Sequence, residues 1–319
     1  MYEKLFSPGA IGTLTIPNRI VMTAASASLS QPDGTMTEDM LAYYEARAKG
    51  GVGLIITEMV CVDEARGVLF PRELNAARED KIPAFRALAE RVHPYGTKIF
   101  AQLFHPGANA DPKLNPHLPL VSASDGRGKK RGTAQAATRE DIQEIVQKFG
   151  QAARRIKESG MDGVKVNAAH HYFLHSFLSP VTNHRTDEYG GSLENRARLL
   201  LMIIDRIRQY CGEDFLIEVR FSGTEYVEGG YTLKEGVEFA KLMDGKADLL
   251  HVSACNFYFP ETECLMVPGM FKEEGHNLYL AEEIKKHVKH SHVVSVGAHR
   301  DPKKIEDILA AGKVDKKRY

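Results

Sequence analysis

Apolar residues in this chain fall in short continuous runs, separated by stretches in which they recur every three or four positions. The runs lie at 20–23, 53–58, 98–104, 163–168, 215–221, 247–253 and 292–296. Runs of this length without strict alternation suit parallel strands covered on both faces. Helix ends between them are marked chemically. Thr37 precedes Glu38 and Asp39 and can cap a helix reaching Gly50-Gly51. Thr138 is followed three residues on by Asp141, a capping-box-like start. Ile142, Ile145, Val146, Phe149, Ala153 and Ile156 then repeat at spacings of three and four, up to Gly160. Further helices read at 81–95, 194–210, 232–243, 278–290 and 302–311.

Repeated strand–helix units with short right-handed crossovers close most economically as an α/β barrel of the TIM (β/α)8 type. A doubly wound sheet is the alternative, weakened because no G-x-G-x-x-G follows any strand. Residues 5–17 read as a hairpin plugging the bottom of the barrel. Residues 105–137 are long, polar and rich in Pro and Gly, and read as a lid over a site. Only seven core strands are found. The eighth is due after 311–315, where the sequence has Lys316-Lys317-Arg318-Tyr319. The expectation is a single domain over 1–319, a barrel truncated before its eighth βα unit, with two raw strand edges.

Composition narrows the function classes. The chain is 43% hydrophobic, enough for one large core. Lys+Arg and Asp+Glu both number 42, so neither nucleic acid nor an anionic membrane is an expected partner. The local cluster Arg127-Gly128-Lys129-Lys130-Arg131 reads as a solvated loop. Cys61, Cys211, Cys255 and Cys264 are widely spread with no CxxC, so no metal site is expected and free thiols in a reducing cytosol are the default. The opening MYEKLFSPGA has no apolar core, and no run approaches 18 apolar residues. The expected location is cytoplasmic.

The candidate chemistry gathers at 163–198. A buried-strand pattern, with Val164 and Val166, runs into His170, His171 and Tyr172, and then into a polar loop with Asn183, Arg185, Asp187, Tyr189, Gly190 and Gly191. Asn167, His170 and Tyr172 can converge where the strand ends. An amide, an imidazole and a phenol together suit an oxyanion site with a proton donor. Taken singly, each is more commonly a hydrogen-bonded structural residue. Lys165 shares a strand face with Asn167; inside a barrel it needs an acidic partner, or it could form a Schiff base with a carbonyl substrate.

This stretch resembles the Old Yellow Enzyme-like NADH:flavin oxidoreductases, whose motif reads AAHGYL, FLSP and N-x-R-T-D-E-Y-G-G-S in succession. The resemblance implies FMN as cofactor, NADH or NADPH as electron donor, and reduction of an alkene conjugated to a carbonyl or acyl thioester. His170 and Asn167 would then bind the carbonyl oxygen, and Tyr172 would protonate the α-carbon. Asn167 stands where His is usual and His171 where Gly is usual. Residues 18–26 resemble the family's flavin-contacting NRIVMAPM segment, which brings in Thr23, Ala24, Ala25 and Ser26. Gln102 matches the family's QLxHxGR, with Ala108 replacing the Arg, and would pair with the flavin pyrimidine edge. Arg220 would stabilise charge on the reduced flavin, Met59 would pack nearby, and Gly297, Ala298 and His299 look like a first phosphate loop. The sequence around Asp187–Ser192, with Asn195, Arg196 and Arg198, reads as structural. The implied partner is a small unsaturated carbonyl compound or acyl thioester, and a homo-oligomer is allowed. Two other classes stay open: a truncated barrel holding no flavin, inactive or part of a larger assembly, and a lyase using Lys165.

Overall fold

The computed structural model describes residues 2–127 and 132–318, and in it the apolar runs form parallel strands. These are β1 (Ile20–Met22), β2 (Leu54–Cys61), β3 (Lys98–Phe104), β4 (Gly163–Ala168), β5 (Leu216–Ser222), β6 (Leu249–Ser253), β7 (His292–Ser295) and β8 (Lys316–Arg318). Each is hydrogen-bonded to the next, and β8 pairs with both β7 and β1, so the ring closes. The expected open seam is therefore corrected. Lys316 aligns with Val294, and Lys317 with Ser295 and Ile20. The sequence hides this strand because Lys-Lys-Arg carries no apolar run; backbone pairing on both sides defines it.

Seven helices cover the ring: α1 (Glu38–Lys49), α2 (Ile82–Val92), α3 (Arg139–Glu158), α4 (Leu193–Cys211), α5 (Leu233–Met243), α6 (Leu278–Lys285) and α7 (Pro302–Ala310). The Thr37 and Thr138 caps form as the sequence suggests. Thr37 accepts from Met40 N–H, and Thr138 and Asp141 make a reciprocal capping box. Alternation sorts the strand residues. Val164, Val166, Ile217, Val219, Phe221, Leu250 and Val252 join the core under the helices.

Inside the ring the side chains stack in layers. The lowest is apolar: Val21, Leu54, Ile56, Phe100, Leu216, Leu249 and Val294. Ile11 and Ile16, from the hairpin Gly9–Ile11/Leu14–Ile16, complete it as the expected plug. Ile16→Ala is expected to lower unfolding stability by about 2–5 kcal/mol, because a closed, fully buried layer has little room to collapse; denaturant titration checks it, and a loss near zero would show the plug to be loosely packed.

Above this layer sits a charged one. Lys165 Nζ lies 2.9 Å from Glu218 Oε1 and 2.7 Å from His251 Nδ1, which is itself 2.8 Å from Glu218 Oε1. All three residues are buried. The segment 105–137 is not a lid over this barrel. It folds beside the end of β4 with a small sheet of its own (Leu120–Ser122, Gly126–Arg127, Thr133–Ala136). Gly107, at φ +62°, brings it within 2.9 Å of the Phe173 backbone, measured from where a Cβ would stand. Residues 128–131 of the basic cluster lie outside the described residues.

Candidate active site

The polar upper layer opens into a cavity at the C-terminal ends of the strands, where barrel enzymes place their chemistry. It is lined by Ala24, Ala25, Ser26, Met59, Gln102, Asn167, His170, Tyr172, Arg220, Phe257 and Met266. Nine of the thirteen residues singled out from the sequence thus meet in one space.

β4 delivers three of them. After Ala169 the chain turns through His170 and His171, both left-handed at φ +63° and +60°. Two consecutive non-glycine residues in that region store strain, about 1–3 kcal/mol each, and such strain clusters at functional sites. The turn throws His170 one way and His171 the other. His170 Nε2 lies 2.8 Å from Ser253 Oγ on β6. The His171 ring instead packs on Tyr258 and lines a separate small cavity with Ala108, Ser122 and His184. The bulky residue at the usual glycine position therefore leaves the main cavity clear. Asn167 Oδ1 accepts from Ala169 N–H at 3.2 Å, so its amide NH2 is the group it can offer a ligand. The Tyr172 ring stands edge-on to Phe104, with centroids 5.3 Å apart. Burial pushes its phenol up to about 12, against the pull of Arg220, so it carries its proton at neutral pH.

β3 and β5, the strands on either side of β4, supply the adjoining wall. Arg220 is buried, and burial lowers its guanidinium to about 10, still a cation at neutral pH. One of its nitrogens reaches Ser253 Oγ at 3.2 Å. Its Nε, and Gln102 Oε1, are buried with no hydrogen-bond partner among the described residues. Two such orphans facing one cavity call for a ligand that accepts from one and donates to the other. The Ala24–Ser26 wall is held by Glu58, whose Oε2 accepts from Ala27 N–H at 2.6 Å.

The remaining residues lie apart. Thr23 is buried beside the lining without joining it. Gly297, Ala298 and His299 leave β7 outside the cavity, with Ala298 at φ +51° and His299 Nε2 3.1 Å from Ser295 Oγ. Just beyond them Glu274 accepts from Asp301 N–H at 2.6 Å and from Arg300 N–H, and these bonds lower its carboxyl to about 2. Phe257 and Met266, in the segment after β6, were not singled out from the sequence. Only their position after a strand end could have marked them; Cys255 and Cys264, in the same segment, form no disulfide. The Phe257 ring stacks on His170 with centroids 5.1 Å apart. Lys165 lies below the cavity, ion-paired with Glu218 as burial requires, and does not line it.

The long motif after Tyr172 is scaffolding. Arg185 grips Asp187 bidentately at 2.9 and 2.6 Å, and Asn183 donates to the Phe177 and Tyr189 carbonyls. Arg196 ties Leu178 O to Glu235. A Cβ on Gly190 would meet Arg185 O at 2.2 Å.

An eight-stranded parallel barrel with a buried cation, an orphaned amide, an imidazole and a phenol at its C-terminal mouth defines a flavin-dependent oxidoreductase class of site. The chain belongs to the NADH:flavin oxidoreductase / NADH oxidase family, whose profile matches residues 4–315. It is 43% identical to an NADH oxidase of Thermoanaerobacter brockii over 98% of this chain and 48% of that protein. It is 36% identical to an NADPH dehydrogenase of Bacillus subtilis strain 168 over 99% of this chain and 89% of that one. Among solved structures, a 2-naphthoyl-CoA reductase in complex with 2-naphthoyl-CoA superposes with a TM-score of 0.93 at 28% identity, covering 100% of this chain and 50% of that one. The chain thus spans about half the length of the Thermoanaerobacter protein and of the naphthoyl-CoA reductase. The family's cofactor is FMN and its electron donor NADH or NADPH. The cavity suits that cofactor: the Gln102 amide and the Arg220 guanidinium offer an acceptor and donors to the pyrimidine edge of a flavin. Among the described residues no helix is long and apolar enough to cross a membrane.

Proposed function

We propose that this chain is an FMN-dependent reductase of alkenes conjugated to a carbonyl or acyl thioester. The observation that carries the reading is the convergence of Asn167, His170 and Tyr172 on the cavity that also holds Gln102 and Arg220. Bound FMN, reduced by NADH or NADPH, would supply hydride to the alkene β-carbon. Asn167 and His170 would hold the carbonyl oxygen as negative charge develops on it. Ser253, bonded to both His170 and Arg220, would fix the imidazole's orientation. Tyr172 would deliver its proton to the α-carbon, and Arg220 would keep a positive charge beside the flavin ring. Gly297 and Ala298 would approach the phosphate. The 2-naphthoyl-CoA bound by the solved neighbour favours an acyl thioester over a free carbonyl compound.

The test is direct. Protein purified with added FMN is expected to be yellow, to bleach anaerobically with NADH or NADPH, and to recover colour on addition of an enoyl thioester. A colourless protein that takes up no FMN would defeat the reading and favour a barrel without flavin. Lys165 gives the lyase alternative little support, being buried and paired below the cavity; borohydride trapping of a carbonyl compound on it would revive that alternative.

A further inference from the structure

A second cavity, of about 230 Å³, is lined by Asp33, Cys61, Glu64, Glu73 and Asn75 among others. Glu73 is its unusual member. The residue is only 6% exposed. Its Oε2 accepts from Leu69 N–H at 2.7 Å and Phe70 N–H at 3.4 Å, and its Oε1 is buried with no hydrogen-bond partner among the described residues. Among the described residues no ion pair engages it. A buried carboxyl with an orphaned oxygen, on a roomy polar cavity, is a group that holds a proton and can hand it to water.

The two cavities draw lining residues from the same end of β2. Met59 lines the one with Tyr172, and Cys61, two residues on along the same strand face, lines the one with Glu73. Cys61 aligns with Phe104 on β3, and the Phe104 ring carries Tyr172. Glu73 and Tyr172 are near enough for a charge on the carboxyl to raise the phenol.

We propose that Glu73 is the proton reservoir for Tyr172, returning through water the proton that the phenol loses in each turnover. The inference rests on the proton-donor role given above to Tyr172. The step balances: the Glu73 O–H breaks, a Tyr172 O–H forms, and the Glu73 carboxylate takes a proton from solvent in its own cavity. It also runs downhill. Burial holds the Glu73 carboxyl up at about 8 and the Tyr172 phenol at about 12, so the acid is charged with its proton at neutral pH and the phenolate is the stronger base. The other titratable groups facing Glu73 are Glu58 and Cys61 on β2, and Asp33 and Glu64 on the cavity wall. Asp33 is engaged by Lys81, and Glu64 by Arg78.

The experiment compares one turnover with many, in FMN-loaded protein with excess donor. In Glu73→Gln, which keeps an acceptor for Leu69 and Phe70, the first reoxidation by an enoyl thioester is expected to match the parent, because Tyr172 starts protonated. Steady turnover is expected to fall at least about 10-fold, with near-ultraviolet phenolate absorbance building up, and Glu73→Asp is expected to restore part of the rate. An unchanged steady rate, or a first turnover slowed as much as later ones, overturns the proposal. A readout without turnover is the phenol titration of the protein, taken as the difference from Tyr172→Phe. Glu73→Gln is expected to shift it to lower pH, and no shift would contradict the coupling. Normal alkene reduction by Tyr172→Phe would remove the underlying reading; a slow Tyr172→Phe with a normal Glu73→Gln would remove the relay alone.

Discussion

Tyr172→Phe is expected to slow reoxidation of the reduced flavin by a conjugated alkene by about 10²–10⁴-fold, while reduction of the flavin by NADH or NADPH keeps its rate. The asymmetry follows from where the phenol stands. It borders the cavity with His170 and Asn167, and burial keeps it protonated well above neutral pH. A proton held there is useful only to a substrate carbanion, and the donor half of the cycle has no need of it. The ring's packing on Phe104 and beside Phe257 survives loss of one oxygen, so the variant is expected to fold normally. Rapid-mixing measurement of the two half-reactions checks it. Equal slowing of both would mean that Tyr172 shapes the flavin's position instead of donating a proton.

Glu218→Leu is expected to destabilise the fold by about 3–5 kcal/mol, the cost of stranding a buried charge. Lys165 and Glu218 face each other in the sealed middle layer, with His251 against both. Removing the carboxylate takes the anion away from a fully buried ammonium. The double variant Lys165→Met/Glu218→Leu is expected to recover much of that loss, since apolar replacement of a buried pair is often neutral or better. Denaturant unfolding of both singles and the double gives the coupling as a cycle. A small loss in Glu218→Leu alone would show that the layer admits water.

Much of this was legible because it is written locally. Continuous apolar runs named seven of the strands, and caps such as Thr37 and Thr138 named the helix starts, since both signals depend on neighbouring residues alone. Lys165 and Asn167 could be placed inside the barrel from the two-residue period of a strand, and a buried Lys165 implied an acid. Which acid it was lay beyond that period, because Glu218 is 53 positions away and meets it through β4–β5 register, Lys165 against Glu218.

The sequence by itself thus determined the repeat, the hairpin plug, and the strand end that carries Asn167, His170 and Tyr172. Only the tertiary structure decided the rest. It made a strand of Lys316–Arg318, because closure of a ring satisfies backbone groups whatever the side chains are. It swung His171 out of the cavity through two left-handed residues. It moved the 105–137 segment aside and brought Phe257 and Met266 to the mouth instead. And it set Glu73, beside the end of β2, within electrostatic reach of Tyr172 at the end of β4, a nearness between distant positions that no local pattern of polar and apolar residues encodes.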